Sequence, residues 1–256
     1  MSFGILTLAT PSDYRKAIGL ALSLRVSNPG VPTAVACSPK VRPFVAPHFD
    51  QVIDEDPTLR GFEHKLHLDR YSPFEETFFF DSDVLVFRPL TDVINSWREQ
   101  PYTACGEYVT GGKSPFGLDR EAALSAIGAD KLVHIDGGGH AYFRKPECGA
   151  IFDRAREIAK DYQRFGRNVR FCDEDVMDIT MTVMGLEPMP RVPFWSRHCS
   201  GVPGTITIDA PNSHCSLKLR TSGEWQRPYM MHFAKCEVPF LYAKQLRKLF
   251  KEFQVE

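Results

Sequence analysis

The chain opens on an apolar run, Phe3 to Leu8, rich in residues that favour strands. Thr10-Pro-Ser-Asp13 supplies turn and cap residues. From Tyr14 to Val26, apolar positions such as Ala17, Leu20 and Leu24 then recur at helical spacing. Val31 to Cys37 reads as a second strand. Strand, helix, strand in that order predicts an α/β fold with a parallel sheet.

Further on, Ser38 to His48 carries three prolines and reads as loop, with a short strand at Gln51 to Ile53 and a helix at Gly61 to Tyr71. Thr77-Phe-Phe-Phe80 is a bulky run suited to a central strand buried on both faces. Val84 to Phe87 comes next, and Leu90 to Arg98 reads as a helix. The second half is less regular. Strands are expected at Pro101 to Cys105, Leu132 to Ile135, Ala141 to Arg144 and Tyr229 to Phe233. Helices are expected at Cys148 to Phe165, Asp173 to Met184 and Pro239 to Phe253. Pro188 to Gly204, with four prolines, reads as one long loop. No repeat or flexible linker divides the chain, so residues 1–256 are expected to form a single domain.

Composition narrows the function class. The net charge is −1, which offers no global basic field for a nucleic-acid backbone. The seven cysteines form no C-x-x-C pair, which argues against a zinc ribbon or a disulfide framework. The first ten residues lack a basic leader, and no apolar run reaches the ~20 residues needed to cross a bilayer. A soluble, cytoplasmic protein is expected, with peripheral membrane contact through the basic face of the last helix left open.

The chemical signal lies at Asp81-Ser-Asp83, directly after the phenylalanine run. Ligands of open α/β sheets bind outside the carboxyl ends of the strands. Two carboxylates in a tight turn there suit Mg²⁺ or Mn²⁺, which keep positions open for phosphate oxygens. The same pattern also arises by chance in loops. The Phe run beside it favours a compensated, functional pair, because a carboxylate at a buried strand end needs a partner.

Several segments together resemble the glycogenin-like and lipopolysaccharide-galactosyltransferase-like group of GT-A glycosyltransferases. The segments are Leu8-Ala-Thr10 with Tyr14, Lys65-Leu66, and Phe78-Phe-Phe-Asp-Ser-Asp-Val-Leu-Val86. Weaker matches follow at Ile135-Asp-Gly-Gly138, Asp173-Glu-Asp-Val-Met-Asp178 and Met231-His-Phe233. The resemblance implies a Rossmann-like GT-A fold with a mixed central sheet. It places a nucleotide-binding part at about 1–110, an acceptor part at about 111–240 and a helix at 239–253. It implies a nucleotide-diphosphate sugar donor, usually UDP-linked, a hydroxyl acceptor, and a divalent metal, Mn²⁺ or Mg²⁺, held by Asp81, Asp83 and His232. Leu8, Ala9, Thr10 and Tyr14 would contact the nucleoside. Lys65 would approach the phosphates, with Lys235 as a stand-in for a phosphate lysine whose family position is Val238. Ser82, Asp136 and Gly137 complete the donor-binding set. Asp173 and Glu174 would face the reacting sugar, Glu174 standing where the family has Gln. With a carboxylate there, a covalent double displacement and an ion-pair route both remain open. The competing functions are a nucleotidyltransferase and a non-catalytic nucleotide-sugar binder. Gly111-Gly-Lys-Ser114 is read as a loop over the donor, since Glu107 occupies the first glycine of a P-loop. His198-Cys199 and His214-Cys215 lack metal-site spacing.

Overall fold

The computed structural model describes residues 2–165, 170–197, 200–233 and 239–255. The first part of the chain runs β1 (Phe3–Ala9), α1 (Tyr14–Ser27), β2 (Thr33–Cys37), α2 (Arg42–Val45), β3 (Gln51–Asp54), α3 (Leu68–Tyr71), β4 (Glu76–Phe80), β5 (Val84–Val86) and α4 (Ile94–Trp97). It continues through β6 (Tyr102–Thr103), β7 (Gly106–Val109), α5 (Arg120–Ile127), β8 (Leu132–Ile135), β9 (His140–Arg144), α6 (Cys148–Lys160) and α7 (Asp173–Val183). The last part holds β10 (Trp195–Arg197), β11 (Thr207–Asp209), β12 (His214–Lys218), β13 (Trp225–Gln226), β14 (Met230–His232) and α8 (Pro239–Glu252).

The main sheet has the order β3-β2-β1-β4-β9-β6. Its first four strands are parallel, and β9 joins β4 and β6 in antiparallel fashion, so the sheet is mixed as expected. The phenylalanine run explains why β4 is central. Side chains alternate faces along a strand. Phe78 and Phe80 enter one core with Ile5 and Trp97, and Phe79 enters the opposite core with Phe152 and Val176. All three are at most 2% exposed. Phe78 meets the Trp97 ring edge-on at 5.0 Å, an arrangement that adds to area burial.

A second, three-stranded sheet of order β10-β14-β5 positions the chemistry. β5 leaves the Asp81–Asp83 turn and pairs antiparallel with β14, with Val84 opposite His232. β10 runs parallel to β14, with Arg197 opposite His232. A third sheet, β11-β12-β13, covers the α1 and α8 side, where Cys215 and Leu217 join the core of Ala17, Leu22 and Leu249.

Several sequence-based expectations need correction. The Ser38–His48 loop contains α2 and a 3₁₀ turn at Ala46–His48. Gly61–Tyr71 is mostly 3₁₀, from Gly61 to His67, with one α-turn after it. The long proline-rich loop contains β10. The helix from Cys148 ends at Lys160, and 162–165 form a separate 3₁₀ turn. Strands β7, β11, β12 and β13 and helix α5 were not expected. The cysteines 37, 105, 148, 172 and 215 are free and buried. Among the described residues no helix is long and apolar enough to cross a membrane.

Candidate active site

The turn after β4 is held by its backbone. Asp81 N–H donates to Gly139 O at 2.9 Å, and Val84 N–H closes the turn on Asp81 O at 3.0 Å. The β5–β14 ladder continues one step further, as Phe233 N–H donates to Asp83 O at 2.9 Å. These bonds bring residues about 150 positions apart together. His232 Nε2 lies 3.1 Å from Asp83 Oδ1 and 3.9 Å from Asp81 Oδ2. One ligand atom from each of Asp81, Asp83 and His232 lies within 4.8 Å of the other two.

The surroundings fit a divalent ion. Two carboxylates and an imidazole are a donor set that suits Mn²⁺. The opposite wall, Gly139, carries no side chain. A Cβ there would stand 3.1 Å from His232 Cε1 and 3.2 Å from Asp81 Oδ2, so the glycine leaves the space between the ligands open.

Two lysines balance the carboxylates. Lys16, on α1, lies 3.4 Å from Asp83 Oδ2. Lys65 Nζ lies 2.8 Å from Asp81 Oδ1 and 3.4 Å from Asp173 Oδ2. Burial alone would raise the Asp83 carboxyl. The His232 hydrogen bond and the Lys16 charge instead hold it below the usual carboxylate range. Burial works against the Lys65 charge, but Asp173 and Asp81 outweigh it and lift its pKa above the ordinary ammonium value.

Helix α7 starts at Asp173 and places three acids in its first turn, where the helix dipole favours negative charge. All three are nevertheless buried. Burial, followed by the charges of Asp178, Asp173 and Asp175, pushes the Glu174 carboxyl up to about 9. Asp173 is raised by burial in spite of Lys65. Asp175 is satisfied on one oxygen, which accepts from Ser114 Oγ and Tyr162 OH at 2.9 Å each. Asp178 accepts from Ile135 N–H at 2.8 Å and lies 3.2 Å from His134 Nδ1. Among the described residues, the Glu174 carboxyl has no hydrogen bond or ion pair. It abuts Gly138, whose φ of +51° needs glycine, and a Cβ there would lie 2.6 Å from Glu174 Oε2. A void of about 20 Å³ lies between Lys65, Asp173, Glu174, Gly138 and His140.

No protein-family model matches the chain, and no curated protein matches it in sequence. Solved structures do match its fold. The galactosyltransferase LgtC, in complex with donor and acceptor sugar analogs, superposes with a TM-score of 0.61 at 16% identity. The match covers 97% of this chain and 95% of LgtC. An active-site mutant of LgtC in which Gln is replaced by Glu gives 0.60 at 16% identity over the same shares of both chains. The bifunctional glycosyltransferase WbbM, in its apo form, gives 0.59 at 11% identity, covering 98% of this chain and 51% of WbbM. The chain has a GT-A fold.

Within this GT-A fold, Leu8 and Ala9 end β1, beside the carboxyl end of β4. Thr10 is exposed, and its N–H donates to Asp13 Oδ1 at 2.6 Å. Tyr14 begins α1 and packs its ring on Phe44, 4.9 Å between centroids. Ser82 is buried between the two carboxylates. Asp136 does not stand free. Arg191 lies 3.1 Å and Arg197 3.9 Å from its carboxylate, and its carbonyl accepts from Trp195 Nε1 at 2.8 Å. Gly137 has φ +82°, and a Cβ there would lie 3.2 Å from the Arg197 side chain. Lys235, Val238, His198 and Cys199 lie outside the described residues.

Sequence reasoning missed Lys16, Arg191, Arg197 and His140. Lys16 stands two residues after Tyr14 on α1, a spacing that does not share a helix face and so gave no local signal. His140 is buried, with its ring tilted by 31° against Trp195 at 3.9 Å between centroids and Nε2 accepting from Cys105 N–H at 2.7 Å. Burial, helped by the His232 and Lys65 charges, lowers its pKa to about 3, so it is a neutral structural histidine.

Proposed function

We propose that this chain is a metal-dependent glycosyltransferase. It would move a hexose from a nucleotide-diphosphate sugar, UDP-linked, to a hydroxyl acceptor with retention at the anomeric carbon. The observation that carries this reading is the convergence of Asp81, Asp83 and His232 at the carboxyl end of β4, facing the buried Asp173–Glu174 pair across Lys65. It is supported by the fold shared with LgtC, a galactosyltransferase crystallised with donor and acceptor sugar analogs.

The residues divide the work by their chemistry. Leu8, Ala9 and Thr10 offer backbone groups at the end of β1 to a nucleoside, and Tyr14 offers an aromatic face. Asp81, Asp83 and His232 would hold Mn²⁺ or Mg²⁺. When bound, that ion supplies charge neutralisation to the leaving diphosphate. Lys65 holds Asp81 and Asp173 in fixed orientation, and Lys16 does the same for Asp83. Lys235 remains the candidate for a further phosphate contact, and Ser82 and Gly137 line the donor. Asp136, oriented by Arg191, and Asp173 would accept hydrogen bonds from sugar hydroxyls.

Glu174 has the least ordinary role. Its carboxyl is raised to about 9 and holds its proton at neutral pH. A protonated carboxyl donates a hydrogen bond much as a carboxamide does, and it is not a nucleophile. That favours a route in which the leaving phosphate steers the acceptor over one in which Glu174 forms a covalent glycosyl ester. The Gln-to-Glu active-site mutant of LgtC has the same fold, so the fold itself accommodates either group.

The test is transfer from a panel of sugar nucleotides to a panel of hydroxyl acceptors, with and without Mn²⁺. Metal-dependent release of UDP by the wild type, abolished in Asp83→Asn, is expected. Full activity in Asp83→Asn would contradict the proposal.

A further inference from the structure

A second pocket, unrelated to the acidic cleft, lies where β5 and β14 end on the far side of the small sheet. It has a volume of about 330 Å³ and is lined by Phe87, Arg88, Ser213, Cys215, Arg227 and Pro228. Val84 pairs with His232 and Val86 with Met230, so Arg88 and Arg227 leave the ladder at the end opposite Asp83 and His232. Five residues of extended chain separate Asp83 from Arg88, a span on the order of 15 Å.

Among the described residues, the lining includes two arginines and no acidic residue. Among the described residues neither Arg88 nor Arg227 forms an ion pair. For the exposed Arg227 that is ordinary, but the half-buried Arg88 would normally find one, because the guanidinium carries its charge at every accessible pH. Arg88 is nonetheless fixed in place. Its guanidinium lies 3.7 Å from the centre of the Tyr229 ring, and its Nη1 reaches Arg227 O at 3.4 Å. Its carbonyl accepts from Asn28 Nδ2 at 3.2 Å, and Phe87 N–H donates to Tyr229 O at 2.8 Å. The cationic group is therefore oriented before any ligand arrives.

Ser213 supplies the second, independent feature. Its Oγ is buried and, among the described residues, has no hydrogen-bond partner, and its backbone is left-handed with φ of +50°. A buried unpaired hydroxyl and a non-glycine residue in that region are each unfavourable on their own. The left-handed backbone closes the 3₁₀ turn at Ala210–Asn212, and the unpaired hydroxyl is satisfied if the side chain turns to donate to a ligand in the pocket. Phe87 and the buried Cys215 make the rest of the lining apolar, which strengthens charge-assisted bonds.

We propose that this pocket binds a tetrahedral oxyanion, either inorganic phosphate or the phosphate of a small ester. Arg88 and Arg227 are its cationic walls and Ser213 Oγ its hydroxyl donor. The proposal does not rest on glycosyl transfer and stands or falls apart from it.

The test uses the full chain. Thermal unfolding is followed against inorganic phosphate and against glycerol phosphate, with chloride at matched ionic strength as the reference. The wild type is expected to be stabilised by phosphate beyond chloride. A larger response to the ester assigns the ester as ligand, and an equal response assigns free phosphate. Arg227→Gln, on an exposed residue, and Arg88→Lys are each expected to weaken the response by about tenfold in concentration. Both should keep the wild-type response to UDP with Mn²⁺, which shows that they are folded and that the cleft is intact. No phosphate response in the wild type would overturn the proposal. So would a response unchanged in both arginine variants, or one lost in Asp83→Asn instead, since that would place the anion in the cleft.

Discussion

Lys65 donates to Asp81, with Nζ 2.8 Å from Oδ1 and 3.0 Å from Oδ2, and the pair is largely shielded from solvent. The same ammonium lies 3.4 Å from Asp173 Oδ2. One lysine thus ties the metal-ligand turn after β4 to the first turn of α7.

Removing it leaves the buried Asp173 carboxylate without its ion-pair partner and takes a cation from the partly exposed Asp81, and breaking a buried pair costs about 3–5 kcal/mol. Lys65→Gln is expected to lose stability on that scale in denaturant unfolding without metal. Mn²⁺ should then stabilise the variant more than the wild type, because the ion replaces the missing charge. Equal stability of the two proteins without metal would contradict this account.

Glu174→Gln tests the protonated carboxyl through pH. In the unfolded chain Glu174 titrates near its ordinary value of 4.5, and in the folded chain at about 9. The folded state therefore binds the proton more tightly. The contribution is fully present below pH 4.5 and is lost as pH rises towards 9, when the unfolded state alone is ionised. Glu174→Gln carries no such penalty. Its melting temperature should match the wild type near pH 4.5 and exceed it progressively up to pH 8–9. Parallel curves across that range would show that Glu174 is ionised in the fold. Transfer activity, under the proposed function, should survive this substitution.

The three glycines before β9 leave room for the site. Gly138→Ala places a methyl 2.6 Å from Glu174 Oε2 and forces a left-handed φ on alanine. The backbone alone costs roughly 1–2 kcal/mol. Gly139→Ala has no such strain, yet its methyl meets Asp81 and His232 at 3.1–3.2 Å. Calorimetry should show Gly138→Ala less stable, and Gly139→Ala close to wild type in stability but weaker for Mn²⁺. Unchanged metal affinity in Gly139→Ala would count against the site.

Phe78 anchors the central strand between Trp97, Phe80 and Tyr142. Phe78→Ala should cost about 3–5 kcal/mol in urea unfolding. A loss below 1 kcal/mol would mean that the strand is not the core of the sheet.

The legible parts of this chain were those where one physical demand dominated. A run of three phenylalanines ahead of two carboxylates suits a buried central strand, and β4 is one. The opening strand–helix–strand also read correctly, because its periodicities are long. The β11–β13 sheet did not. Only Cys215 and Leu217 of β12 are fully buried, between half-exposed His214, Ser216 and Lys218, which is too short an alternation to separate from loop. Helix α5 was missed although its signals are present. Asp119 caps it by accepting from Ala122 N–H at 3.0 Å, and Gly128 ends it with φ +70°. At the site, Asp81, Asp83 and His232 could be named from sequence, and their convergence could not be derived from it. The Lys16–Asp83 and Arg191–Asp136 pairs are tertiary. Residues 67 and 55 positions apart leave no local trace.

The most direct test of the central claim is electron paramagnetic resonance of Mn²⁺ titrated into the full chain with UDP. The account predicts one bound ion per chain, a weakened signal of binding in Asp81→Asn and Asp83→Asn, and an altered spectrum in His232→Ala, where a nitrogen ligand is lost. Mn²⁺ bound equally well by all four proteins, or by none of them with any nucleotide, would contradict it.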